Sequence, residues 1–400
     1  MMSRIDDLIA QHCPDGVEHR MLRDIAHYSP ERVSADSLDE SSFVGVDNLI
    51  ADKGGKVPAS YRPNSAMVTS YNEGDVLIGN IRPYLKKIWL ADNAGGCSGD
   101  VLAVRLSSEF QDRVDSPFLY YVLSSDAFFT YNMQNAKGAK MPRGSKDAIL
   151  KYRIPLPPLE VQREIVRVLD LFQSLEAELE AELEARRRQY AHYRDSLLDF
   201  TERGGVRWMT LGEIAVLEYG FTAAAADEGD LRYVRITDID AGGKLVAGSD
   251  KFVESTPESD RYRLSAGDVL VARTGASFGK SVLIESNLEA VFASFLIRLR
   301  SDREIVNPQF LWHFAQSGAY WAQARKLVSV GGQPQFNGNV LSRVVIPVPS
   351  LEDQQEIVAI LDKFDALVND LSVGLPAELA ARRMQYEYYR DRLLTFEEAA

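Results

Sequence analysis

The sequence predicts an α+β chain: two strand-rich globular units in tandem repeat, each followed by a long helix, with the two helices pairing with each other. Three observations predict it. A stretch of about forty residues has heptad spacing and contains no Pro or Gly. A second copy of that stretch lies 192 to 196 residues later. Matching landmarks precede both copies, so the whole half-chain is repeated. The resulting boundaries are a first unit over 1–153, a proline lead-in and helix over 154–200, a second unit over 201–345, and a second lead-in and helix over 346–400.

The first helical stretch runs from Leu159 to Phe200, after Pro155, Pro157 and Pro158. With Ile165 as position a, the a residues are Ile165, Phe172, Leu179, Arg186, Tyr193 and Phe200, and the d residues are Leu169, Glu176, Leu183, Tyr190 and Leu197. Nine of these eleven are apolar or aromatic, which marks a coiled-coil seam. Such a helix is roughly 60 Å long at 1.5 Å per residue and needs a partner for its apolar stripe. The partner is in the same chain. Ile154-Pro-Leu-Pro-Pro-Leu159-Glu-Val-Gln162 reappears as Ile346-Pro-Val-Pro-Ser-Leu351-Glu-Asp-Gln354. Gln189-Tyr190, Tyr193-Arg194-Asp195 and Leu197-Leu198 reappear as Gln385-Tyr386, Tyr389-Arg390-Asp391 and Leu393-Leu394. The second copy has four extra residues, a stutter of about one turn, placed near Gly374-Leu375-Pro376. A kink is expected there, or a break with Pro376 in the first turn of a new helix.

The globular units share landmarks too. Gly16-Val17, Leu22 and Ile25-Ala26 match Gly205-Val206, Leu211 and Ile214-Ala215. Phe43-Val44 matches Tyr233-Val234, and Gly74-Asp75-Val76-Leu77-Ile78 matches Gly267-Asp268-Val269-Leu270-Val271. Short apolar runs at Val76–Ile81, Val101–Leu106, Val269–Ala272 and Phe295–Leu299, bounded by Gly, Asp and Asn, read as strands. Helices are expected at Phe118–Asn132 and Gln309–Ala324. Between landmarks the units differ at almost every position, which suggests one task performed twice on two different targets.

The net charge is −13. The segments 160–200 and 351–400 carry −4 and −6 of it, so the globular units are near neutral with local basic clusters. Acidity confined to the helices is compatible with nucleic-acid binding elsewhere. No apolar run approaches membrane-spanning length, and Met1 to Gln11 is too charged for a signal peptide. Cys13 and Cys97 have no CxxC partner and read as free thiols in a reducing, cytoplasmic setting.

Catalytic motifs do not emerge. The one Pro-Pro, Pro157-Pro158, follows Leu156 and lacks the Asn/Asp and aromatic neighbours that an adenine methyltransferase needs. No GxGxxG is present. No lysine has an acid two residues earlier, as the common restriction-nuclease motif requires. His12, His19, His27, His192 and His313 lack metal-ligand spacing, so no metal site is expected. Gly275-Ala-Ser-Phe-Gly279-Lys280-Ser281 is one residue short of a phosphate loop. The alternating glutamates Glu176 to Glu184 read as a solvated helix face.

Nucleic acid has two candidate contact regions in each unit. Asn80, Arg82, Tyr84, Lys86 and Lys87 follow the Gly-Asp-Val-Leu strand, and Arg273, Thr274, Ser277 and Lys280 occupy the corresponding loop. A second basic stretch holds Lys137, Lys140, Arg143 and Lys146, and its neutral counterpart holds Gln333, Gln335 and Asn337. Arg suits guanine, Asn and Gln suit adenine, and Lys suits phosphate. Ordinary solvated loops are the alternative reading.

On the duplicated Leu159-Glu-Val-Gln162 and Leu351-Glu-Asp-Gln354 segments, the helix ends Gln189 to Phe200 and Gln385 to Leu394, Cys13-Pro14-Asp15-Gly16-Val17, and Gly267 to Gly275, the chain resembles the specificity subunits of type I restriction-modification enzymes. The resemblance covers nearly the whole length. It implies two target recognition domains, each reading one half of a split, asymmetric site in double-stranded DNA. It implies helices that pair antiparallel, set the unread gap and dock two adenine-methylating modification subunits. S-adenosylmethionine would be bound by those subunits, ATP and Mg by restriction/translocase subunits, and no cofactor by this chain, which would be non-catalytic. Tyr190, Tyr193, Arg194, Tyr386, Tyr389 and Arg390 are candidate partner contacts; closure of the seam within the chain is the other role open to them. A stand-alone coiled-coil DNA-binding regulator, a scaffold that binds no DNA, and an orphan specificity protein are the alternative functions.

Overall fold

The computed structural model describes residues 2–201, 204–246, 248, 250–328, 335–370 and 374–399. The chain packs as two compact units, Met1–Glu178 with Ala380–Ala400, and Leu179–Leu379. Each unit therefore takes one globular segment and a half of each long helical stretch.

In the first unit, four strands form an antiparallel sheet in the order Ala26–Tyr28, Val101–Leu106, Val76–Gly79, Ile88–Leu90. A second sheet runs Arg32–Ser34, Met67–Tyr71, Gly95–Cys97, Phe43–Val44, its last pair parallel. Alternation along a strand explains why both faces of Val76-Leu77-Ile78 are apolar. Val76 and Ile78 pack with Phe118, Leu119 and Ile165, whereas Leu77 packs with Tyr71, Trp89 and Cys97 between the sheets. Cys13 and Cys97 are free and buried, and burial pushes the Cys97 thiol up to about 12.

The second unit repeats this plan. Its main sheet runs Ala215–Tyr219, Leu296–Ser301, Val269–Ala272, Ser281–Leu283. A smaller sheet sets Leu231–Val234 between Phe252–Val253 and Ala290–Phe292, parallel to the latter. Val269 and Val271 face one core, and Leu270 and Ala272 another. Matching carboxylates brace the sheets: Asp75 accepts from Arg105 at 2.9 Å, and Asp268 from Arg300 at 3.0 Å.

Each expected helix after the sheet is two helices. Ser116–Leu123 and Asp126–Gln134 replace a single helix over 118–132, and Pro308–Ala315 and Gly318–Leu327 replace one over 309–324. The cause is local. The Ser125 and Ser317 hydroxyls accept from the backbone amides of Phe128 and Tyr320, capping a new helix where the aromatic pattern reads as continuous.

The first long helix spans Leu159–Leu197, ending three residues before Phe200. The second stretch is broken, as its Gly-Pro insertion predicts: Leu351–Asn369 and Gly374–Leu394, with Gly374 at φ 71° and Pro376 in the first turn. Within each unit the helices run antiparallel. In the first, Phe172 stacks on Tyr389 and Gln173 bonds Tyr386, while Glu176, the polar d residue, meets Arg383 at 2.6 Å. In the second, Tyr193 stacks on Phe364, and Arg187 donates to the Val368 carbonyl. Rising numbers on one helix meet falling numbers on the other in both cases.

The repeated Gln is the joint between helix and recognition unit. Gln162 is fully buried; its Oε1 accepts from the Asp115 amide at 2.9 Å, and its Nε2 donates to the Arg113 and Pro157 carbonyls at 2.9 and 2.7 Å. Gln354 does the same with Asn307, Ile305 and Pro349 at 2.8, 3.1 and 3.0 Å. One amide thus satisfies three backbone groups that would otherwise be stranded. The first proline of each lead-in, Pro155 and Pro347, lies on a short strand, Arg153–Leu156 against Glu18–Met21 and Val345–Val348 against Arg207–Thr210. The isolated histidine His313 is also structural: buried, 2.6 Å from Asp362 and 3.3 Å from the Tyr190 hydroxyl.

Candidate nucleic-acid interface

In the first unit the strand Val76–Gly79 runs into Asn80-Ile-Arg82. Arg82 and Lys86 flank the Pro83–Leu85 turn, both with positive φ, 53° and 48°. That strained geometry is held from outside: the Arg82 amide donates to the Pro142 carbonyl at 2.7 Å and the Gly144 amide to the Asn80 carbonyl at 3.1 Å. Lys137 and Arg143 pair through two 2.9 Å backbone bonds. The two basic stretches, sixty residues apart in the chain, are therefore one surface. Gly144 is required at the junction, since a Cβ would lie 2.5 Å from Asn132 Oδ1 and 2.8 Å from Asn80 Oδ1.

The cations on this surface have different roles. Lys86 and Lys53 both reach Asp126 Oδ1, at 2.6 and 3.1 Å, and the deeply buried Arg390 reaches its Oδ2 at 2.7 Å. Burial pushes the Asp126 carboxyl up, but bonds from Lys86 and Lys53 and the Arg390 charge more than offset this and hold it well below the usual carboxylate range. Lys87 donates to the Val46 carbonyl at 2.7 Å, and Arg143 meets Asp100 at 3.2 Å. Asn80 is buried, and its Oδ1 has no hydrogen-bond partner among the described residues. Arg82, Lys137, Lys140 and Lys146 are exposed, and their side chains make no hydrogen bond or ion pair among the described residues. Tyr84 is exposed beside them. Among the described residues the freest cations are thus Arg82, Lys137, Lys140 and Lys146 rather than Lys86, Lys87 and Arg143.

The second unit forms the same junction with other chemistry. The strand Val269–Ala272 runs into Arg273, whose backbone bonds Phe295 at 3.0 Å and Phe336 at 2.8 Å. Thr274 forms a bridge with Gln335, as Ile81 does with Arg143. Gly279, at φ 81°, stands where Lys86 stands in the first unit, and Tyr320 donates to its carbonyl at 3.0 Å. No helix follows the Gly-Lys-Ser segment; the strand Ser281–Leu283 does, which is not phosphate-loop architecture. Thr274 is buried, Ser277 and Lys280 are half-buried, and Gln335 is exposed. Asn337 caps a short helix by accepting from the Val340 amide at 3.1 Å. Gln333 lies outside the described residues.

Three residues on these surfaces escaped sequence reasoning: Asp126, Tyr219 and Phe295. Arg273 lies against the last two, 5.3 Å from the Tyr219 ring centre and 5.6 Å from that of Phe295. Phe295 opens an apolar run and so reads as core, yet it is 51% exposed. Of the six helix-end candidates, Tyr190 and Arg390 are buried, Tyr386, Tyr389 and Arg194 half-buried, and Tyr193 exposed but stacked. Tyr388, outside those six, is 62% exposed, with its ring edge-on to Tyr389. Among the described residues no cluster of His, Cys, Asp or Glu could hold a metal, and no helix is long and apolar enough to cross a membrane.

The family model described as type I restriction modification DNA specificity domain matches residues 71–185 and 205–381. The type I restriction enzyme EcoR124I/EcoR124II specificity subunit of Escherichia coli is 36% identical over 263 residues, 62% of this chain; the match spans 63% of that relative, just under two thirds of its length. A putative type I restriction enzyme specificity subunit of Haemophilus influenzae is 29% identical over 72% of this chain and 74% of its own. Among solved structures, a chain described under the structural basis of complex assembly and conformational transition of the type I R-M system aligns over 96% of this chain and 98% of its own, with TM-score 0.60 and 21% identity. The S subunit of a type I restriction-modification system from M. genitalium aligns over 94% and 96%, with TM-score 0.52 and 15% identity. At those identities the two structures speak to fold, while the family model matches both halves of the repeat. The chain belongs to the type I restriction modification DNA specificity family.

Proposed function

We propose that this chain is the non-catalytic DNA-recognition subunit of a type I restriction-modification complex. Each globular unit reads one half of a bipartite, asymmetric site, and the paired helices set the gap and dock two adenine-methylating modification subunits. S-adenosylmethionine is then the cofactor of those partners, and ATP and Mg belong to restriction subunits. The observation that carries this reading is the repeated junction at the end of the same strand: one backbone scaffold, with bridges Ile81–Arg143 and Thr274–Gln335, presents a lysine-rich surface in one unit and, in the other, an aromatic one whose cations are Arg273 and Lys280. Identical frames with unlike side chains suit two different half-sites. The test is duplex binding by the chain assembled with modification subunits. Charge removal at the first-unit junction should reduce affinity and salt slope together. Unchanged binding after substitution of both junctions would refute the reading.

A further inference from the structure

We propose that the second recognition unit reads a G·C pair, and that Arg273 is the residue that reads it. The inference rests on the DNA-recognition reading above and names one base pair within it. Arg273 is the first residue after the Val269–Ala272 strand, with its backbone fixed on both sides by Phe295 and Phe336. Its Nε donates to the Ser294 carbonyl at 2.9 Å. Its guanidinium lies against the rings of Tyr219 and Phe295, which are 44% and 51% exposed. Tyr219 is itself held, its hydroxyl accepting from the Gly338 amide at 2.7 Å. The two terminal nitrogens, Nη1 and Nη2, have no hydrogen-bond or ion-pair partner among the described residues. The result is a planar fork whose base is bonded, whose plane is supported by aromatic contact, and whose outer edge is free.

An outer edge of two parallel donors selects its ligand by pattern. Guanine presents two acceptors, O6 and N7, in the major groove, and the fork matches both. Adenine presents one acceptor and one donor there, cytosine a donor, and thymine a single acceptor beside a methyl group, so each leaves a donor unmatched. A phosphate would accept the same fork. The neighbourhood argues against phosphate: the guanidinium lies over two aromatic rings, Thr274 next in the chain bridges the neutral Gln335, and Lys280 is the one other cation of the 273–280 loop. Phosphate contact needs charge and not a braced plane, whereas base discrimination depends on a fork held in register.

The experiment is methylation sequencing of a host that expresses the full chain with its modification subunits, for wild type and for Arg273→Gln, Arg273→Lys and Phe295→Ala. Wild type should modify a motif whose second half contains an invariant G·C pair. Arg273→Gln should relax or redirect that one pair, lowering discrimination there roughly ten- to a hundredfold, with the first half-site and gap unchanged. Arg273→Lys keeps the charge without the fork and should also relax it; Phe295→Ala should do so more weakly. A wild-type second half with no invariant G·C pair overturns the inference and leaves the function standing. A uniform loss across all bases for Arg273→Gln, absent in Arg273→Lys, identifies a phosphate contact and also overturns it. A chain that directs no methylation and binds no duplex refutes the functional reading itself, and the inference with it.

Discussion

Replacing Gln162 by Leu keeps the volume of a fully buried side chain and removes three hydrogen bonds at once. The Asp115 amide loses its acceptor, and the Arg113 and Pro157 carbonyls lose a shared donor. A buried polar group left without a partner costs about 1–3 kcal/mol. The carbonyls retain a second lone pair, Arg113 is exposed enough for water to approach, and Leu regains some apolar burial. The net expectation is about 3 kcal/mol, a little over a hundredfold in an opening equilibrium. The chain has two units, so a single unfolding midpoint would blur the effect. Hydrogen exchange resolves it by segment. Peptides covering Arg113–Leu123 and the start of the first long helix should exchange about a hundredfold faster, with peptides covering Ile305–Ala315 unchanged. Gln354→Leu should give the mirror image, because its bonds to Asn307, Ile305 and Pro349 are the same set. A rise below about threefold, roughly 0.7 kcal/mol, would refute the claim that this amide joins helix to recognition unit.

Other predictions concern charge. Asp126→Asn should loosen the 80–87 loop and the C-terminal helix by about 1–2 kcal/mol, a figure reduced for the 40% exposure of the carboxylate. Because its folded carboxyl titrates below the ordinary value, its contribution is present above about pH 4 and fades as pH falls below that. Exchange of this loop should therefore accelerate on acidification in wild type more than in Asp126→Asn, and equal acceleration would contradict the latch. Lys137→Ala with Lys140→Ala, both exposed and without an ion-pair partner among the described residues, should lower the salt slope of duplex binding by about 2 without altering the methylated motif. An unchanged slope would place the DNA elsewhere. Tyr121→Phe, which removes the 2.6 Å bond to Asp170, should weaken the first unit by about 1 kcal/mol and leave the second unit's exchange untouched.

Much of this fold is legible in the sequence because the signals repeat. The heptads, the duplicated lead-in and the four-residue insertion place both helical stretches, the break before Pro376 and the pairing of the helices. The polar d residue Glu176, an apparent flaw in the seam, is resolved by Arg383, which sits over 200 positions away. Capping defeats the helix reading at Ser125 and Ser317, where one hydroxyl outweighs a continuous aromatic pattern. The candidate surface is legible only in pieces. That the residues around 80 and 143 meet depends on sheet register, and no local pattern reports it. Burial likewise decides which cations are committed: Lys86 and Lys87 resemble Lys137 and Lys140 in sequence, yet among the described residues the first two have partners and the second two do not. Phe295 and Tyr219 are hidden for the opposite reason, since exposed aromatics read as core when only neighbours in sequence are known.

The most direct test of the central claim is the methylated motif that the chain directs when expressed with its modification subunits. The account predicts one asymmetric motif in two defined halves with a fixed gap, methyladenine in each half, and each half altered independently by substitutions in one unit. A continuous or palindromic motif, or substitutions in one unit that change both halves, would contradict the assignment of one half-site to each unit.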